Sequence, residues 1–250
     1  MKKDRFIDIT KIRDFFDLIL TSKNASREEV HNFLHACLKF VFDYNKLDIN
    51  MFKIQFHAVK SFEDPNFEAC MQQHNTHPNW FDVYFNYNDL VVKDVSQDSL
   101  RRLFSLMLAA MHEFGHIIQY VLHKNHMNKL ETREDDVEYK KQKFLKTCNK
   151  KKQNLVIRQF KRHEQAKMFI SNVERNADYQ AHKYLKMIFN SLIDIEDNAI
   201  SLAFLEEGLT FINKTHQLEY YCYRIADKTN RQAIKILKKN GVKEEDLLKQ

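Results

Sequence analysis

Apolar residues recur every three or four positions through Val30, Phe33, Leu34, Cys37, Leu38, Val41 and Phe42, the spacing of one buried helix face. Ser26 and Glu29 stand just ahead of them as a capping-box signature, so residues 1–50 are read as N-terminal helices arranged as a hairpin. The period then drops to two. Phe52, Ile54, Phe56 and Ala58 alternate with Lys53, Gln55 and His57, and Phe81, Val83, Phe85 and Tyr87 alternate with Asp82, Tyr84 and Asn86. Each run predicts a strand. Between them lie Pro65, Pro78 and Trp80, read as irregular chain. From Ser96, a candidate N-cap, apolar positions continue through Leu100, Leu103, Met107, Met111, Phe114, Ile118 and Val121, with Gly115 the one breaker. That predicts a long buried helix. Further helices are expected over about 156–192, 195–212 and 216–239. The resulting fold class is α+β, predominantly α-helical. A small antiparallel or mixed sheet is expected to pack on the helix ending near Val121 and on a second long helix.

Composition sharpens this picture. Only 3 Gly and 2 Pro occur in 250 residues, so little of the chain is loop, and 20 Phe supply material for a core. No linker-like stretch interrupts it, so a single domain is expected, with a core over 51–192, a charged insertion at 124–162 and C-terminal helices over 193–250. The charge-free stretch Leu103–Met111 is nine residues long, about half of what spans a bilayer. No apolar stretch follows the basic residues near Met1, and Cys37, Cys70, Cys148 and Cys222 form no C-x-x-C pair. A cytoplasmic protein with reduced thiols and no membrane span is expected.

The net charge of +6 is unevenly spread. Lys140 to Arg162 holds ten basic residues and no acid, which leaves the rest of the chain net acidic. Directly before it stand Glu131, Glu134, Asp135, Asp136 and Glu138. Two readings are open for the basic segment: a patch for nucleic acid or an acidic partner, or a solvated helical insertion.

The chemistry is concentrated in Met111-His112-Glu113-Phe114-Gly115-His116. Histidines four apart project from one helix face, so both imidazoles can bind one Zn²⁺ with Glu113 beside the activated water. Composition alone would produce this pattern about 0.04 times per chain. His31 and His35 have the same spacing without the Glu and are read as packing residues. A catalytic zinc needs a third protein ligand. The metzincin extension is absent, because Gln119 and Leu122 stand where Gly and His would be required. A carboxylate on another helix remains, and Glu174 is the best candidate. Asp178, one turn later on the same face, is placed to accept the free N–H of a ligating histidine. Ala177 between them suits a close helix crossing. Glu131, Glu134, Asp136 and Glu138 are the competing ligands, in a segment that reads as exposed.

His112-Glu113-Phe114-Gly115-His116 with Glu174-x-x-Ala177-Asp178 resembles the gluzincin zinc metallopeptidases, and most nearly the small ImmA/IrrE-type and minigluzincin proteins. The resemblance covers about Trp80 to Leu185. His116 and Glu174 are 58 residues apart, more than in a minimal gluzincin. It implies a hydrolase, a metalloprotease with Zn²⁺ held by His112, His116 and Glu174, Glu113 as general base and a peptide or protein substrate. The strand at 81–87 would be the edge along which an extended peptide pairs. His182, Tyr179 or Tyr184 would stabilise the oxyanion. The alternative function is a non-catalytic, zinc-containing regulatory or nucleic-acid-binding protein that uses segment 140–162.

Overall fold

The signature at Ser26 and Glu29 closes in both directions in the computed structural model. The Ser26 N–H donates to the Glu29 carboxylate at 2.6 Å, and the Glu29 N–H donates to Ser26 Oγ at 3.3 Å. Two of the orphan donors at the helix start are thereby satisfied. The structure describes residues 7–60, 69–74, 76–86, 92, 96–194, 202–243 and 247. In chain order come α1 (Thr10–Ser22), α2 (Arg27–Tyr44), β1 (Lys53–Val59), β2 (Ala69–Gln73), β3 (Trp80–Asn86), α3 (Gln97–Thr147), α4 (Lys150–Ile170), α5 (Asn172–Ile193) and α6 (Leu202–Lys239). The fold is α+β and mostly helical. No described helix is long and apolar enough to cross a membrane.

Both strands expected from alternation are present, and a third lies between them. β2 occupies part of the stretch read as irregular, where Ala69-Cys70-Met71-Gln72-Gln73 contains no β-branched or aromatic residue to announce it. The sheet order is β1-β3-β2, with β1 parallel and β2 antiparallel to β3. This corrects the expectation that the strand at 81–87 is an edge: β3 is central, with both sides paired, and Tyr87 lies outside the described residues. The edges are β1 and β2, each paired with β3 alone among the described strands. Phe81, Val83 and Phe85 point inward and are fully buried. Phe56 of β1 stacks on Phe114 of α3 with ring centroids 5.7 Å apart, which fixes the sheet against the helix that carries the histidines.

The helices differ from expectation at two places. The stretch read as one helix over 156–192 is two, α4 and α5, parted at Ser171. The two helices expected over 195–212 and 216–239 are one, α6. The polar run Asn213-Lys214-Thr215-His216 does not break it, since the Thr215 hydroxyl donates back to the Phe211 carbonyl within the helix. Residues 195–201, where the first of those helices was to begin, lie outside the described residues.

The chain forms two compact units, one of Met1–Val121 with Ala177–Thr215, the other of Leu122–Asn176 with His216–Gln250. Aromatic rings fill the first: Phe16 meets Phe33, Phe189 and Phe204 at centroid distances of 5.6, 5.8 and 5.4 Å. Gly208 of α6 sits against this cluster, and a Cβ there would overlap the fully buried Phe189 ring. Alanine would gain about 1 kcal/mol of helix propensity. Overpacking costs about 1–3 kcal/mol, so Gly208→Ala is expected to leave the protein no more stable and up to about 2 kcal/mol less stable. A urea titration checks this, and a clear gain in stability would contradict it.

In the second unit, Val156 and Phe160 of α4 pack with Leu237, Val242 and Leu247, and Phe144 and Leu145 of α3 lie alongside. Above this apolar base a buried His163 donates from Nδ1 to Asn230 Oδ1 at 2.6 Å, and its Nε2 has no hydrogen-bond partner among the described residues. Burial pushes the His163 pKa down; the Asn230 hydrogen bond and Glu164 oppose this, and Lys167 adds to it. A histidine with a depressed folded pKa binds fewer protons folded than unfolded. The stability it permits is therefore present above the unfolded value of about 6.5 and declines as pH falls below it. The protection of α4 amides, taken relative to the intrinsic exchange rate at each pH, is expected to be lower at pH 5.5 than at pH 7.5, with a smaller change in His163→Gln. Equal pH dependence in both proteins would remove His163 as the cause.

Candidate metal centre

α3 runs from Gln97 and presents His112, Glu113 and His116 on consecutive turns where the sequence places them. α5 supplies the carboxylates. Its start is set by Ser171, whose Oγ accepts the Glu174 N–H at 3.1 Å. Glu174 thus stands in the first helical turn, where the helix dipole favours a carboxylate. Asp178 follows one turn later.

α3 and α5 can approach because both are small at the crossing. A Cβ on Gly115 would lie 3.3 Å from Ala177 Cα and 3.4 Å from the Ala177 carbonyl oxygen, with Ala177 fully buried. These are backbone atoms of a helix, so they yield only if the helix moves. Gly115 inside the motif and Ala177 between the two carboxylates are therefore the contact that lets donors from separate helices meet.

At that crossing one donor atom each from His112, His116 and Glu174 lies within 4.8 Å of the others. It is the one group of three or more potential ligands among the described residues. His112 Nδ1 is 2.6 Å from Asp178 Oδ1, and His116 Nδ1 is 3.2 Å from Gln119 Oε1. Both oxygens accept, so both Nδ1 atoms carry hydrogen and the Nε2 lone pairs remain. Those two Nε2 atoms face each other at 3.0 Å. Two lone pairs at that separation repel unless a cation sits between them. A proton answers in part; a divalent metal answers both, and Glu174 then balances its charge. Two imidazoles, one carboxylate and a fifth of the His112 side chain left open fit a tetrahedral site with a position for solvent.

Of the sequence expectations, His112, His116 and Glu174 are brought together, and Asp178 engages His112. Glu113 is half-buried beside them. Its charge reaches the edge strand: burial chiefly, and then Glu113, raise the Cys70 thiol on β2 above its ordinary value. His182 continues the Glu174–Asp178 stripe one turn further and is buried, and Tyr179 is exposed. Tyr184 is fully buried, and its hydroxyl accepts from Asn45 Nδ2 at 2.8 Å. The side chains of Glu131, Glu134, Asp136 and Glu138 lie outside the described residues.

Gln119 is the site residue that the sequence reading passed over. It entered only as a mismatch to the metzincin pattern, yet it is 8% exposed and orients His116. The signal was available: a polar residue three positions after a ligand on a helix, and so on the ligand's own face. His31 and His35 show the contrast. Their rings lie 4.6 Å apart, His35 stacks on Phe56 at 4.3 Å, and burial and then His31 lower the His35 pKa. No carboxylate joins them in a three-donor group among the described residues. Compared with family models, with curated proteins and with solved structures, the chain has no match, so what this site does is argued from its own side chains.

Proposed function

We propose that this protein is a zinc-dependent peptidase in which His112, His116 and Glu174 hold the metal and Glu113 is the general base. The observation that carries this reading is the convergence of the three donor groups within 4.8 Å, both histidines having their other nitrogen engaged by an acceptor. Zinc in such a site polarises a carbonyl and brings the pKa of water toward neutrality. The chain's own residues do the rest. Asp178 and Gln119 hold the Nδ1 protons and so keep each Nε2 available to the metal. Glu113 takes the proton of the attacking water on its carboxylate and returns it to the amide nitrogen as the carbon–nitrogen bond breaks. Of the oxyanion candidates, His182 is favoured, because it shares the α5 stripe with Glu174 and Asp178, whereas the Tyr184 hydroxyl is held by Asn45.

Within this reading the peptide lies along β2. That strand is paired on one side only among the described strands, and Glu113 acts on its Cys70. An extended chain adding to that edge by backbone hydrogen bonds would run past the base.

Metal content by mass spectrometry tests the proposal, on protein purified without added metal or chelator. One zinc per chain is expected in the wild type and none in His116→Ala or Glu174→Ala. Zinc kept in Glu174→Ala would move the third ligand to another carboxylate. A wild type that takes up no zinc even when it is supplied would overturn the enzyme reading.

A further inference from the structure

The basic segment is not absorbed by the metal centre, and the structure changes what it is. Its residues end α3 and build α4, and the apolar cluster of Val156, Phe160 and Leu237 packs this hairpin against the end of α6. Lysines far apart in sequence are brought to one end of the second unit. Lys143, Lys146, Lys150 and Lys152 come from the hairpin, and Lys235 and Lys239 from α6. All six are exposed, and none has an ion-pair partner among the described residues. Along the outward side of α4, Arg158, Lys161 and Arg162 continue the same charge. No Asp or Glu occurs between Lys140 and His163 or between Lys228 and Lys243. Glu164, the first acid beyond α4's basic stretch, accepts from Lys141 at 2.7 Å.

Folding does not account for this concentration. Lys150, Lys151 and Lys152 fill the first turn of α4 with no acid there, and the helix dipole opposes cations at that end. Such a local conflict persists where a site needs it. We propose that the α3–α4 hairpin and the α6 end form one binding surface for the phosphate backbone of a double-stranded nucleic acid, read without regard to sequence.

Three observations favour that partner. Lys150 to Arg162 spans about 18 Å of helix, about five base pairs of duplex. The cations are interspersed with Asn154 and Gln165, both exposed, which suit phosphate and sugar contacts. A helix that lies on a membrane sinks an apolar face into it, but the apolar face of α4, Val156, Phe160 and Ala166, is already spent on the core.

The test is fluorescence anisotropy of the full chain with an arbitrary 25-base-pair duplex over a salt series. Binding is expected at about 50 mM salt, with a log–log slope of several units. Lys146→Glu/Lys150→Glu/Lys152→Glu is expected to weaken it more than tenfold and to flatten the slope. Lys235→Glu/Lys239→Glu, on the other element, is expected to weaken it severalfold, with circular dichroism unchanged in both variants. Absence of binding at about 50 mM salt overturns the proposal. So does wild-type affinity in the α6 variant, or tighter binding to phosphatidylserine vesicles or to poly-glutamate than to duplex. None of these outcomes depends on the metal centre.

Discussion

Glu113→Gln is expected to lower peptide hydrolysis by about 10²- to 10⁴-fold while the zinc content stays at the wild-type level. The substitution keeps the size of the side chain and one acceptor oxygen, and it leaves His112, His116 and Glu174 untouched. What it removes is the ability to take a proton from water and hand it on. Glu113 is half-buried and its charge is felt at Cys70 of β2, so the proton acceptor is within electrostatic reach of the strand edge proposed for the substrate. The measurement is kcat on an unstructured peptide, with zinc quantified in the same preparation. Full activity in a zinc-loaded Glu113→Gln protein would end the general-base assignment. Loss of activity together with loss of zinc would show only that the site had been disturbed, so Glu113→Asp serves as a second variant. It keeps a carboxylate but draws it back by one carbon, and retention of part of the rate there separates chemistry from folding.

What could be read in the chain follows from the range of the interactions involved. The capping box at Ser26, the alternation in β1 and β3, and the imidazole pair on α3 are all written within a few residues, and the structure has them where the pattern puts them. Ser171 carried the same local signal as Ser26, a Ser three residues before a Glu, and it separates α4 from α5. It was hidden because apolar periodicity resumes across it and neither Gly nor Pro marks the break. β2 was invisible for a different reason. Ala69, Cys70 and Met71 have weak strand preference, and what makes them a strand is pairing with β3, a contact between segments. The same pairing puts β3 in the centre of the sheet and makes β2 one of its two edges, β1 being the other. Neighbour order is decided by the parallel match of β1 with β3, which no single strand's pattern encodes. The site divides along the same line. His112 and His116 are a local pattern; Gln119 needed only a question about why a polar residue is buried there. The approach of Gly115 to Ala177 is a tertiary fact, legible in part because two small residues stand inside two polar motifs.

Asp178→Asn is expected to weaken zinc binding about tenfold and Asp178→Leu about a hundredfold, the range over which partners of metal-bound histidines act. The reasoning starts from the 2.6 Å contact between His112 Nδ1 and Asp178 Oδ1. A neutral imidazole has one N–H, and a carboxylate that accepts it at Nδ1 keeps Nε2 bare for the metal. Asparagine can still offer its carbonyl oxygen to that N–H, so the tautomer survives and the loss is that of the negative charge, which makes the ring a better donor. Leucine offers no acceptor. The proton is then free to move to Nε2, and each binding event must first remove it. Affinity measured by competition with a chromophoric chelator would give the order wild type, Asn, Leu. Equal zinc affinity in all three proteins would mean that Asp178 does not position His112. The contact would then be an ordinary hydrogen bond between α3 and α5, and Gly115 opposite Ala177 alone would account for how the ligands meet.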